Sequence, residues 1–184
     1  MSMLMLANGD SIGQENFIEK LKPDHIKIQY AGGIGFFSLG TGYQNRQHNL
    51  EGDLYYGYLP KSIGGVRIHS LSAKFFWIPF HLTGKKIALA EPLITGILVN
   101  YNFGKQYFIN EPSYFPDHYY NFPTAINSAV LFGSRIGFNK PKKLAVYIEV
   151  LSFDRDLASF FSNTQSLRFT ELFTAAFGLK FNLK

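Results

Sequence analysis

The chain has no cysteine among its 184 residues, which excludes a disulfide framework and any thiolate metal site. Charge is scarce: 17% of residues are Asp, Glu, Lys or Arg, against about a quarter in an ordinary soluble domain. The net charge of +5 is scattered. No Lys/Arg cluster interleaves with aromatics along one segment, so nucleic acid is not an expected partner. Long apolar runs are missing as well. No uncharged apolar stretch reaches the roughly 18 residues of a spanning helix, and the best candidate, residues 87–99, is interrupted by Glu91 and Pro92.

What is present in excess is aromatic: 19 Phe and 11 Tyr lift that class to 17%. Mean hydropathy is nevertheless −0.03, so apolar residues are interspersed with polar ones rather than gathered in blocks. The length suffices for one domain with a sizeable core. Residues 1–9 (MSMLMLANG) are apolar, end in small residues and lack a basic start, so they read as the tail of a secretion signal or as an expression artefact. Residues 10–21 form the one helix expected at the front, with Ile12, Phe17, Ile18 and Leu21 as an apolar stripe and Pro23 as its stop. That helix fits a membrane interface, or else a short plug or flexible leader. Residues 1–25 are therefore a leader and 26–184 the body.

In the body the apolar residues recur at every second position. Phe173, Ala175, Phe177, Leu179, Phe181 and Leu183 share one parity, and Thr174, Gly178, Lys180 and Asn182 share the other. Successive strand residues point to opposite faces, so one face is apolar and the other polar or small. Leu144, Val146, Ile148 and Val150 oppose Ala145, Tyr147 and Glu149 in the same way. So do Val130, Phe132, Ile136 and Phe138 against Gly133, Arg135 and Gly137, and Leu50, Leu54, Tyr56 and Tyr58 against Glu51, Asp53, Tyr55 and Gly57. Leu93, Ile97, Val99, Tyr101 and Phe103 oppose Gly96, Asn100 and Asn102. A first strand over 26–43 starts with Ile28 and Tyr30 and changes parity beyond Phe37, which predicts a bulge. A strand over 66–80 changes parity near Ser70.

The connections alternate in length. Residues 61–65, 104–105 and 139–143 are short turns, and 44–49, 81–92, 110–124 and 154–166 are longer. With 106–109 as a short fifth strand, the count is eight, and both ends of the body fall on the short-turn rim. The expected fold class is all-β, an eight-stranded antiparallel up-and-down transmembrane β-barrel behind its leader. Lengths of about 9–11 residues suit a tilted membrane strand, and Tyr30, Tyr56, Tyr58, Trp77 and Tyr101 fall near strand ends, where interfacial girdles sit. A soluble lipocalin-like ligand binder also alternates, with its apolar face inward.

In strand pattern, loop asymmetry and the last strand over 173–184 (FTAAFGLKFNLK), the chain resembles the small eight-stranded bacterial outer-membrane barrels. That group includes the OmpA transmembrane domain, OmpX and the lipid A-modifying enzymes PagP and PagL. The last strand of such proteins commonly ends in an aromatic, whereas here Phe181 and Leu183 precede Lys184. The resemblance implies an integral protein of a Gram-negative outer membrane, touching lipid and lipopolysaccharide, with both termini periplasmic. It implies a non-catalytic scaffold, a component of an envelope complex or a narrow plugged pore, or alternatively a lipid A deacylase or acyltransferase.

Charges on the polar parity must pair inside a narrow lumen, because an isolated buried charge is very costly. Glu51, Asp53, Lys74, Arg135, Glu149 and Lys180 are the expected lumen network, with Tyr55 and Tyr147 beside them. Catalysis on lipid needs a nucleophile, a base and an orienting carboxylate at a rim. The candidates are His81, His118 and Asp117, with Glu91, Asp154, Asp156, Ser113, Ser152 and Ser159 nearby. The stretch His69-Ser70-Leu71-Ser72 is the nearest approach to the His-x-Ser-Asn typical of the deacylases, at the short-turn end of its strand. The loop over 110–124 carries Tyr114, Phe115, Tyr119 and Tyr120 and is the candidate contact for an envelope partner. The glycines at 32, 33, 35, 40 and 42 lack the Gly-Lys-Ser/Thr ending of a phosphate loop and instead leave room for bulky lumen side chains. No cofactor and no metal is expected.

Overall fold

The structure is a computed structural model, and it describes residues 22–84, 87–104, 106–108, 124–138, 143–162 and 169–183. The alternation closes on itself. Eight strands, β1 (His25–Ala31), β2 (Phe37–Gln44), β3 (Leu50–Leu59), β4 (Ile68–Trp77), β5 (Ile87–Phe103), β6 (Ile126–Phe138), β7 (Leu144–Phe153) and β8 (Thr174–Asn182), form a closed barrel in chain order. Every neighbouring pair is antiparallel, and β8 returns to β1 with His25 opposite Asn182. Closure leaves no unpaired edge. No helix among the described residues is long and apolar enough to cross a membrane, which has no bearing on crossing by strands.

Three expectations about the strands are corrected. The segment 26–43 is two strands rather than one. Ala31, Gly32 and Gly33 take φ of 62°, 83° and 75°, a left-handed run that reverses the chain where a bulge was expected. The turn tucks Ile34 into the barrel mouth, and its carbonyl accepts a hydrogen bond from Ser70 Oγ. A Cβ on Gly57 would lie 1.8 Å from that carbonyl oxygen, so only glycine fits beneath the turn. Second, residues 106–108 form no strand. The fifth strand instead runs from Ile87 through Glu91 and Pro92, with register shifts between Ile87 and Leu89 and between Glu91 and Ile94. Third, β4 keeps one parity throughout, with Ser70, Ser72, Lys74 and Phe76 inward.

These changes keep the count at eight and redistribute the connections. At one rim β1 starts and β8 ends, and β2 leads into β3, β4 into β5 and β6 into β7. We call it the terminal rim. At the other rim β1 leads into β2, β3 into β4, β5 into β6 and β7 into β8. The turn over 61–65, expected with the ends of the body, belongs to this far rim, where it holds the short helix α1 (Lys61–Gly64). The connections over 44–49 and 81–92 belong to the terminal rim. On the far rim α2 (Asp154–Ser162) follows β7, and a 3-10 turn (Phe169–Leu172) precedes β8. Residues 1–21, with the expected leader helix, lie outside the described residues.

The apolar parity faces outward. Ile28, Leu39, Leu54, Leu71, Ile97, Val130, Ile148 and Leu179 are exposed around the barrel wall. Rings sit toward the strand ends: Tyr43, Trp77, Phe138 and Phe181 at the terminal rim, Tyr30, Tyr56, Tyr101 and Phe103 at the far rim. The inward face of these strands is mixed, with Lys27, Glu51, Lys74 and Arg135 buried beside Leu98, Leu131 and Leu151, rather than the continuous apolar lining of a lipocalin-like binder. Inside, glycine partners large side chains. A Cβ on Gly40 would lie 2.5 Å from the Tyr55 ring, and one on Gly178 would lie 2.2 Å from Tyr147 Cζ. Gly178→Ala is therefore expected to cost about 1–3 kcal/mol by overpacking. At Gly137 the nearest neighbours of an added Cβ lie at 3.6 Å, and Gly137→Ala is expected to be nearly neutral. Urea unfolding midpoints of the two variants test the difference, and equal midpoints would contradict the packing.

Candidate functional site

The interior has two halves. Ile34, Leu98, Leu131, Leu151 and Ala176 pack into one apolar cluster with Phe153 against it toward the far rim, and the same cluster extends through Phe76, Ile94 and Ile78 on the β4–β5 side of the terminal half. Toward the terminal rim the inward parity is charged. Lys27, Lys74, Arg135 and Lys180 face Glu51, Asp53, Glu91 and Glu149, all buried. Four cations meet four carboxylates, with His25 among them.

Glu51 is the hub. Its carboxylate takes two hydrogen bonds from the Arg135 guanidinium, each 2.9 Å, one from Lys180 Nζ at 2.5 Å and one from Lys27 Nζ. Lys27 also reaches Asp53 at 2.5 Å, and Asp53 is 2.7 Å from His25 Nε2. One layer further in, Lys74 donates to Glu149 at 2.5 Å and to Gln29 at 2.6 Å. The Tyr55 and Tyr147 hydroxyls are 3.3 Å apart, and Tyr147 donates to Gln29. The ammonium groups are further held over rings, Lys27 at 4.4 Å from the Phe76 centroid and Lys74 at 4.7 Å from Tyr55. The cross-barrel pairs join β1, β3, β4, β6, β7 and β8.

All six residues expected in the lumen network thus lie buried in it, in two layers. Sequence reasoning missed Lys27, His25 and Gln29, although Lys27 and Gln29 share the parity opposite Ile28 and Tyr30 and were legible on that ground. It also placed Glu91 on a rim. The bulge between Glu91 and Ile94 turns this side chain inward, where it ends 1% exposed, 3.2 Å from Arg135 Nη1 and 3.4 Å from His81 Nδ1. One ligand atom each of His25, Glu51 and Asp53 lies within 4.8 Å of the others. The Lys27 ammonium already sits between the two carboxylates, where a metal ion would have to displace it.

A vestibule of about 660 Å³ opens from the terminal rim onto this network. Arg135, Glu91 and Lys180 face into its depth, and Arg46, His48 and His81 stand around its mouth. It stays open because Gly137 and Ala145 occupy the inward positions above Arg135. Among the described residues, both Glu91 carboxylate oxygens and Arg135 Nε are buried there without hydrogen-bond partners.

Among the described residues, the rim candidates for catalysis fall on both rims. His81 and Glu91 are at the terminal rim, whereas Asp154, Asp156 and Ser159 belong to α2 at the far rim. Burial and the neighbouring Asp154 carboxylate hold the Asp156 carboxyl above its ordinary value. Ser152 is buried near that rim. His118, Asp117, Ser113 and the loop aromatics Tyr114, Phe115, Tyr119 and Tyr120 lie outside the described residues. His69 is at the far rim, not the terminal one. It faces outward with Nδ1 2.5 Å from Tyr56 Oη, while Ser70 and Ser72 face the lumen and Ser72 donates to Asn100. Histidine and serine are on opposite sides of one wall. Compared with family models, curated proteins and solved structures, the chain matches none.

Proposed function

We propose that the chain is an integral outer-membrane β-barrel, up-and-down in topology and closed to flow, that serves as a scaffold or as a component of an envelope complex. One observation carries this reading: apolar residues line the outside, aromatics cap the band at both ends, and the charges are inside. In water that arrangement exposes a continuous apolar band far larger than a soluble monomer shows. In a bilayer the band is solvated by hydrocarbon, and every backbone polar group is satisfied by the closed ladder. The terminal rim is then periplasmic, and the far rim, with its longer connections, meets lipopolysaccharide. The 110–124 loop belongs to a connection that starts and ends on the far rim, and it is our proposed contact for an envelope partner.

The lumen supports a plug rather than a pore. The vestibule ends on the cross-barrel ion pairs, and beyond them the interior is closed by apolar side chains and buried Ser70, Ser72 and Asn100. The test is reconstitution into phospholipid vesicles. The inserted protein is expected to migrate differently on a denaturing gel before and after boiling, and to give no steady conductance in a planar bilayer. Absence of insertion would sink the membrane reading, and a stable ohmic current would sink the plug.

A further inference from the structure

Among the described strand residues every glycine but one lies on the lumen parity, opposite a residue such as Tyr55, Tyr147, Asp53 or Ser70. Gly52 is the exception. It faces outward between Tyr43 on β2 and Phe75 on β4. Glycine weakens a strand interior, and it usually marks a bulge, a bend or a place where a ligand approaches the backbone. The register runs unbroken through Gly52 on both sides, so no bulge is present. Its φ is not positive. A Cβ there would meet only the Phe75 ring, at 3.7 Å, which is ordinary contact. Neither the backbone nor the packing calls for a glycine at this position.

Gly52 lies in an open depression of about 670 Å³ that spreads over the outer wall from β2 to β6. Its floor is Gly52, and its sides are Phe75, Trp77, Ile97 and Phe132. At the terminal rim the lining changes from apolar to amide, at Gln44 and Asn45. The same two residues line the vestibule, so the groove and the vestibule meet at the β2–β3 turn. That turn is fixed by Asn45, which accepts from the Leu50 amide and donates to Asn49. Arg46 and His48 project from it, exposed. His48 contacts Gln44, and Arg46 makes no ion pair among the described residues.

We propose that this surface binds one molecule of anionic phospholipid, with an acyl chain in the groove over Gly52 and the phosphate at Arg46 and His48. This rests on the membrane reading above. The polarity of the site runs in the order of the molecule: hydrocarbon beside Phe75 and Ile97, ester-level amides at Gln44 and Asn45, and the Arg46 guanidinium with the His48 imidazole beyond. A protein partner would find no such gradient useful across its whole length, and a zwitterionic lipid would bring no net charge to Arg46.

The experiment uses the full chain inserted into vesicles of phosphatidylcholine with or without phosphatidylglycerol, extracted in mild neutral detergent and weighed by native mass spectrometry. The wild type is expected to retain one phosphatidylglycerol. One basic side chain near an anionic lipid surface is worth about fivefold in binding, so the preference over phosphatidylcholine should be at least about that large. The double variant Arg46→Ala/His48→Ala should lose the preference, and Gly52→Trp should lose retained lipid of either kind. Equal retention by Gly52→Trp and wild type, or equal retention of both lipids by the wild type, overturns the proposal. Boiling-dependent gel mobility of all three proteins reports insertion separately. If the wild type does not insert, the membrane reading itself falls and takes the lipid site with it.

Discussion

Glu51→Ala is expected to lower the unfolding free energy of the barrel by about 3–5 kcal/mol, the usual cost of deleting one partner from a buried ion pair. The reason is the number of donors that converge on this carboxylate. Arg135, Lys180 and Lys27 all lose an acceptor at once, and a balance of four cations against four anions becomes four against three. Lys27 keeps Asp53 and Arg135 keeps Glu91, but Lys180 has no other carboxylate among the described ion pairs. Arg135→Ala should also destabilise, by less, because Glu51 would still hold two ammonium groups. Lys61→Ala, on the exposed turn before β4, should stay within about 0.5 kcal/mol. Urea titrations in vesicles, read by intrinsic Trp77 fluorescence, give the ranking. A loss below about 1 kcal/mol at Glu51 would mean that water or relaxation compensates the orphaned cations, and the hub would not be structural.

How much of this was legible beforehand depends on the scale of the signal. Period-two alternation is a property of a whole strand, so β3, β6, β7 and β8 were found with nearly their observed limits, and Glu51, Asp53, Arg135, Glu149 and Lys180 came with their faces assigned. Turns depend on one or two backbone dihedrals. The sequence reads β1 and β2 as one strand because Ala31 itself adopts a left-handed φ, which alanine rarely does, and the residues after it continue in β-prone types. The bulge in β5 is hidden for a similar reason: Glu91 and Pro92 look like a loop, and only the pairing of Glu91 with Arg135 across β5 and β6 makes them strand. The eight-strand count survived because two errors offset each other, one strand merged and one invented. The rim assignment did not survive, since it depended on where the turns fall. That is why His81 moved to the rim opposite Asp154. The outward face of Gly52 was legible, since it shares the parity of Leu50, Leu54 and Tyr56, but the depression around it was not, because Phe75, Ile97 and Phe132 come beside it only through the register.

Ile148→Arg is the substitution whose sign separates a bilayer from water around this barrel. Ile148 is central in β7, paired with Ser134 on β6 and Phe177 on β8, and it faces outward at 40% exposure. If water surrounds the wall, an exposed isoleucine replaced by arginine shifts stability by no more than about 0.5 kcal/mol and reduces a sticky apolar band. If hydrocarbon surrounds it, a guanidinium at mid-depth costs about 2–4 kcal/mol. The cost must fall toward the ends of the strands, where a long side chain reaches the headgroups, to about 0–1 kcal/mol. Phe181→Arg, at the terminal-rim end of β8, supplies that comparison. The expected result is a large loss for Ile148→Arg and a small one for Phe181→Arg, measured by urea titration of refolded protein in vesicles of one fixed composition. Depth dependence is the decisive part, because packing damage alone would not follow distance from the rim. Equal and small effects at both positions would place water rather than hydrocarbon around the wall, and the membrane reading would fall with its account of the apolar band.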